Sequence, residues 1–272
     1  EEYRSVMGKL ALDEVDMCGD DGTFLHASRR DIARNPSAPP AKARRLLREL
    51  AGLRTSLPMA PGAAAFLRTH EARIDVAKAL VSGPCDTPYA FGLFLLDIWC
   101  PASYPAEPPK VTLMTTGNGL VRFSPNLYSD GKVCLSLLGT WHGEAWQPDQ
   151  STLLQVLVSI QSLILVEEPY FNEPGYEVSR GSAEGEVRSA AYNRTLREAT
   201  LQHAILAHIR NPPSGFEEVV ARHFELVRGP LLAQALRWAS DAQGPEEAAR
   251  MLRLVKELRA ALPPHRLEAG PS

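Results

Sequence analysis

The chain has 272 residues, 44% of them apolar, and a formal net charge of −3. That balance excludes a general nucleic-acid binder, and no apolar run reaches the roughly 18 residues that would span a bilayer. The length fits one core domain of about 150 residues with extensions on either side.

The chain opens on Glu1 rather than Met, which reads as a piece of a larger chain, and its first residues carry no secretory signal. Residues 1–36 are mixed and weakly periodic. Asn35-Pro36-Ser37-Ala38-Pro39-Pro40 then reads as a linker that ends at a helix start. Residues 42–53, KARRLLRELAGL, predict an amphipathic helix with Leu46, Leu47, Leu50 and Leu53 as its stripe and Arg44, Arg45 and Arg48 around it. A Pro/Gly/Ala loop covers 56–65. Strand-like runs follow at 65–69, 73–82, 91–100 and 110–116, with connections short enough to favour an antiparallel meander. Between the last two, YPAEPP at 104–109 is rigid turn chemistry. Residues 117–150 show no strong period, and irregular segments of that length are usually functional. STLLQVLVSIQSLILV at 151–166 predicts a helix apolar on nearly every face, hence buried. Helices are then expected at 187–210, 215–240 and 245–262, the last with Met251, Val255, Leu258 and Leu262 at helical spacing. The expected division is an N-terminal extension and linker (1–40), a core domain (41–180) and a helical extension (181–272).

The four cysteines, Cys18, Cys85, Cys100 and Cys134, form no CxxC pair, which argues against a structural zinc site. Reduced thiols in the cytosol or nucleus are expected. Cys85, in a turn, and Cys100, at a strand end, read as packing residues. Cys134 follows the turn Ser129-Asp130-Gly131 and precedes an apolar run, so taken alone it reads as a half-buried core cysteine. His142 stands eight residues on, but a Cys/His hydrolase also needs a group that orients the base, and the sequence offers none. His142 is expected to brace the loop instead.

The stretch RFSPNLYSDGKVCLSLLGTWHG, 122–143, resembles the active site of the ubiquitin-conjugating (E2) enzymes, in which a His-Pro-Asn motif lies eight residues before the nucleophilic cysteine. Here Ser124-Pro125-Asn126 occupies that place. Gly83-Pro84 with Thr87-Pro88-Tyr89 and Tyr104-Pro105 with Pro108-Pro109 match two further E2 motifs in order, and Trp146-Gln147-Pro148 resembles the tryptophan segment after the cysteine, displaced by a four-residue insertion. The match covers about 42–180. VLVSIQSLILVEEPYFNEPGYEVSRG is similar to a large-E2 subgroup that includes giant inhibitor-of-apoptosis proteins and hybrid E2/E3 enzymes, in which the extensions also belong to the family.

The resemblance implies an α+β E2 (UBC) fold: a four-stranded antiparallel meander backed by the central helix, with an N-terminal helix and a C-terminal helical extension. It implies a cofactor-free acyl transfer, ATP and Mg²⁺ being used by the E1 partner. Cys134 would accept ubiquitin from E1 as a thioester, which requires an accessible thiol able to lose its proton. Asn126 would donate to the oxyanion or hold the loop, and Glu173 would orient or deprotonate the incoming lysine. Ser136 stands where many members carry Asp. Ser124 replaces a histidine that mostly braces the loop. Arg44, Arg45 and Arg48 match the E1 and E3 face, near Pro148. Ala106 replaces the aromatic that anchors many E3 ligases, so ordinary E3 contacts should be weak. Implied partners are ubiquitin, E1 and protein substrates including apoptosis regulators, in the cytoplasm. A silent ubiquitin-binding variant and an E2 for another modifier are the other readings. The helices after 181 are expected either to dock a partner or to pack on the core.

Overall fold

A computed structural model describes residues 1–35 and 39–262. Pro36, Ser37 and Ala38 of the predicted linker lie outside the described residues. In chain order the elements are α1 (Glu2–Met7), β1 (Leu12–Val15), α2 (Arg29–Arg34), α3 (Pro40–Ser56), β2 (Ala65–His70), β3 (Arg73–Ser82), β4 (Leu93–Trp99), β5 (Lys110–Leu113) and α4 (Leu153–Ser159). There follow α5 (Ala183–Ala199), α6 (Ala207–Arg210), α7 (Glu217–Leu226), α8 (Arg228–Ser240) and α9 (Pro245–Ala261). Wide π-type turns extend α4 over Ile160–Ile164 and join α5 to α6 over Thr200–Leu206. Among the described residues no helix is long and apolar enough to cross a membrane.

The predicted meander is β2 to β5, each antiparallel to the next. The sheet has a fifth strand, because β1 pairs parallel with β2, Leu12 opposite Leu67 and Val15 opposite His70. That strand lay hidden in the weakly periodic stretch 1–36. Its four residues are only partly buried at Leu12 and Val15, too short for an alternation to show. Helix α3 starts with Pro40, whose fixed φ suits the first turn. Leu46 and Leu53 face the core as expected, but Leu47 is 58% exposed, and the fourth inward contact is the buried Lys42. Its ammonium donates to Asp75 Oδ2 and to the carbonyl of Cys100, both at 2.7 Å. Burial pushes the Asp75 carboxyl up, yet hydrogen bonds from Arg73 and Lys42 outweigh it and hold the group below the usual carboxylate range.

Helix α4 is closed by a capping box in which Thr152 and Gln155 satisfy each other's backbone N–H. It is not apolar-buried on every side. Val158 is 40% and Leu163 57% exposed, because this element crosses the back of the sheet with one face toward solvent.

A smaller cluster of Met17, Ile32, Val76 and Trp99 lies apart, while the main hydrophobic core draws on residues from Tyr3 to Leu262, on both sides of position 180. Leu201, Ala204, Ile205, Phe216 and Phe224 are buried in it with the sheet residues Phe66, Leu80 and Phe94. The helix reaches the sheet at Gly92, where a Cβ would lie 2.9 Å from Thr200 Cγ2 and 3.1 Å from Ala204 Cβ. Buried polar groups make further ties. Arg68 of β2 donates to the carbonyls of Leu10 and Gly215 and lies 4.9 Å from the centre of the Phe216 ring. Tyr3 Oη donates to His223 Nδ1 at 2.7 Å, and His223 Nε2 donates to the Phe91 carbonyl at 3.1 Å. His208 Nε2 and Thr115 Oγ1 are 3.2 Å apart.

Two expectations follow. The chain truncated after Arg180 would bare the apolar face now covered by Leu201, Ala204 and Ile205, and should be insoluble or lose its cooperative thermal transition; a soluble, cooperatively melting fragment would contradict the shared core. Burial also lowers His208 and His223 from 6.5 to about 4, so the folded chain holds them neutral while the unfolded chain protonates them near pH 6.5. Their contribution is complete above that pH and is lost as pH falls toward about 4. Chemical denaturation at pH 7 and pH 5 should differ by about 2 kcal/mol for each histidine, and His223→Gln should flatten that dependence.

Candidate active site

The site is built on a tight hairpin at the free edge of the sheet. Lys132 bridges to Thr112 of β5 and Leu127 to Val133. Gly131 turns the hairpin at φ +91°, a left-handed value that glycine tolerates. Tyr89, from the Gly83–Tyr89 turn, donates from its phenol to the Phe123 carbonyl at 2.6 Å and holds the hairpin's entry.

On this hairpin Asn126 and Cys134 are locked together. Cys134 N–H donates to the Asn126 carbonyl at 2.8 Å, and Asn126 Nδ2 donates to the Cys134 carbonyl at 3.0 Å. Asn126 is 5% exposed, and its Oδ1 is buried without a hydrogen-bond partner. Ser124 does not leave the loop unbraced. It is fully buried, and its Oγ accepts from Asn126 N–H at 3.2 Å, so a hydroxyl braces the loop at this position.

Cys134 is 2% exposed and forms part of the floor of a cleft of about 440 Å³. This is less accessible than the sequence expectation of an open thiol. Burial pushes the thiol up, Lys132 and Arg122 pull it back, and Asp130 adds to the rise. The cleft walls are Ser136, Trp141 and His142 on one side and Leu163, Phe171, Pro174 and Glu177 on the other. The inserted loop thus supplies a wall: Trp141 and His142 stack with ring centres 5.0 Å apart, and Gly143 turns at φ +126° so close to Ser136 that a Cβ would sit 3.1 Å from Ser136 Cβ. Among the described residues, Cys134 has no hydrogen-bonded base, which removes the hydrolase reading of His142.

Several expected residues stand elsewhere. Glu173 sits between the cleft residues Asn172 and Pro174, but its carboxylate accepts from Arg122 at 3.0 Å, and the same guanidinium donates to the Pro125 carbonyl at 2.8 Å. Arg45 is committed within the fold, donating to Glu49 at 2.6 Å and to the carbonyls of Pro148 and Ser151. Arg44, Arg48, Pro148 and Ala106 are exposed. Glu49 escaped sequence reading: it also accepts from Tyr104 Oη at 2.6 Å and from the Leu153 N–H at 2.9 Å, tying α3 to the turn and to α4. Its i,i+4 spacing from Arg45 was the visible signal. Trp146 Nε1 donates to the Pro105 carbonyl at 2.7 Å.

All four cysteines are free, and Cys85 is exposed rather than a packing residue. Asp16, Cys18 and His70 bring three ligand-type atoms within 4.8 Å of one another. Ala72 N–H donates to His70 Nδ1 at 3.1 Å, which puts the ring proton on Nε2, 3.3 Å from Asp16 Oδ1. The cluster is closed as a hydrogen-bonded set and offers no imidazole lone pair to a metal.

A family model described as ubiquitin-conjugating enzyme matches residues 45–200. The chain belongs to the ubiquitin-conjugating enzyme family. This E2 is 47% identical over 97% of its length to the dual E2 ubiquitin-conjugating enzyme/E3 ubiquitin-protein ligase BIRC6 of Mus musculus, and 46% identical to that of Homo sapiens over the same share. It is 44% identical over 88% of its length to the probable ubiquitin-conjugating enzyme protein 17 of Caenorhabditis elegans. The E2 spans about 6% of the mammalian relatives and 34% of the nematode one. Among solved structures, a Toxoplasma gondii ubiquitin-conjugating E2 domain is 29% identical, with a TM-score of 0.44 over 60% of this chain and 98% of that one.

The electrostatics around the E2 cysteine set its reactivity. Alkylation of Cys134 by iodoacetamide should have a pH midpoint above that of an exposed peptide thiol. Lys132→Gln should raise it further, since the ammonium that opposes burial is gone. Peptide-resolved mass spectrometry at stepped pH checks both shifts.

Proposed function

We propose that Cys134 accepts ubiquitin from E1 as a thioester and passes it to a lysine of a protein substrate. The observation that carries this reading is Cys134 lining a cleft with its backbone N–H and carbonyl both held by Asn126. No cofactor enters the step; ATP and Mg²⁺ belong to the E1 reaction that precedes it. In the transfer, the amine nitrogen bonds to the thioester carbon and the carbonyl oxygen gains negative charge. Asn126 Nδ2 donates to the Cys134 carbonyl at 3.0 Å and would exchange that bond for the oxyanion. Its orphaned Oδ1 fits an amide not yet in its working arrangement. Ser136, half-buried beside Cys134, borders the acyl group. Glu173 steadies the loop through Arg122.

Exposed Ala106 offers no apolar plug to a preformed E3 pocket, which supports a chain that carries its own ligase function within a larger protein, as the name of the mammalian relatives states for them. Arg44 and Arg48 are free to meet E1. The reading extends to apoptosis regulators as substrates and a cytoplasmic site of action, which the resemblance supports. A gel of E1, ATP and ubiquitin with this chain should show a thiol-sensitive adduct. Cys134→Ala should abolish it, and Cys134→Ser should leave an oxyester that survives reductant; normal loading of the alanine variant would overturn the assignment. Asn126→Ala should load but discharge to lysine roughly 10²-fold more slowly, about 3 kcal/mol, and unchanged discharge would remove Asn126 from the chemistry.

A further inference from the structure

The incoming nucleophile is a lysine that arrives as an ammonium ion, and it must lose a proton before it can attack. The resemblance puts that task on Glu173, yet its carboxylate already accepts from Arg122 at 3.0 Å, while its neighbours Asn172 and Pro174 are the residues that line the cleft there. Four residues on, Glu177 does line the cleft. It is exposed, makes no side-chain hydrogen bond or ion pair among the described residues, and is the only carboxylate in the wall that includes Cys134.

Its position is built. Gly175 turns the chain at φ +88°, and Glu177 opens the short 3₁₀ turn Glu177–Ser179. The preceding Tyr176 packs on Tyr170 with ring centres 4.8 Å apart, and Tyr170 in turn meets Tyr192 of α5 at 6.1 Å. On the other side Arg180 covers the ring of Phe171, itself a cleft residue, at 4.8 Å. The carboxylate is therefore presented from a braced turn rather than a free loop.

We propose that Glu177 is the catalytic carboxylate that receives the substrate lysine at Cys134, an inference that rests on the E2 reading above. Glu177 attracts the ammonium into a cleft otherwise without formal charge and takes its proton. The neutral amine attacks the thioester carbon, the C–N bond forms, and the C–S bond breaks with its electron pair returning to Cys134 Sγ. The second nitrogen proton leaves the tetrahedral adduct for the sulfur, regenerating the thiol, while the first passes from Glu177 to water. The products are an amide and free Cys134.

The test is single-turnover discharge of the full chain, loaded with ubiquitin by E1 and ATP, onto free L-lysine at varied concentration. Glu177→Gln should load as the parent does, but discharge at least tenfold more slowly and need more lysine for half-maximal rate; Glu177→Asp should recover part of the rate. Wild-type discharge by Glu177→Gln would overturn the assignment. So would loss of discharge confined to Glu173→Gln, which returns the role to the other carboxylate. A parent chain that never forms the adduct would instead overturn the E2 reading itself, and this inference with it.

Discussion

One buried imidazole holds the three parts of the chain to each other. His223 of α7 accepts from Tyr3 of α1 and donates to the Phe91 carbonyl at the entrance of β4, so its neutral tautomer is fixed by two partners that lie 220 and 132 residues away. Phe91 sits at φ +62°, a conformation that costs a residue with a side chain roughly 1–2 kcal/mol. The His223 bond, together with the Phe91 N–H to Gly83 carbonyl bond at 3.1 Å, keeps it there. The same turn carries Tyr89, whose phenol fixes the start of the Cys134 hairpin. A contact between the two extensions is in this way mechanically continuous with the site, although neither extension lines the cleft.

A second constraint acts through charge. Lys42 of α3 and Arg73 and Asp75 of β3 form an ion-pair set between helix and sheet, where removing Asp75 would leave the buried Lys42 ammonium uncompensated at a cost of about 3–5 kcal/mol. Glu49 plays the corresponding part at the other end of α3. The two together fix the helix that presents Arg44 and Arg48, so the exposed cationic face is rigid while its neighbour Arg45 is structural.

Much of this was legible in the sequence, and the reasons are physical. Strand β3 was read to the residue because its apolar run is bounded by turn chemistry. The Asn126 to Cys134 spacing survives because a hairpin needs a set number of residues to bring the two backbones into register. What hid was whatever depends on distant partners. Lys42 has the local signature of a solvated face, and only Asp75 makes its burial tolerable. Leu163 and Val158 read as core because apolarity does not say which side of a crossing helix is covered. Cys85, in a turn, took its packing role from general habit. Glu173 and Glu177 are indistinguishable as loop carboxylates until Arg122 is seen to occupy one of them.

The depth of Cys134 has a consequence for the resting protein in an oxidising stress. Peroxide attacks thiolate, and susceptibility follows both thiolate character and exposure. A cysteine that is 2% exposed, with its thiol pushed toward the protonated form, presents neither. Cys134 is thus guarded against conversion to sulfenic acid, and a change that exposed its sulfur would end that protection.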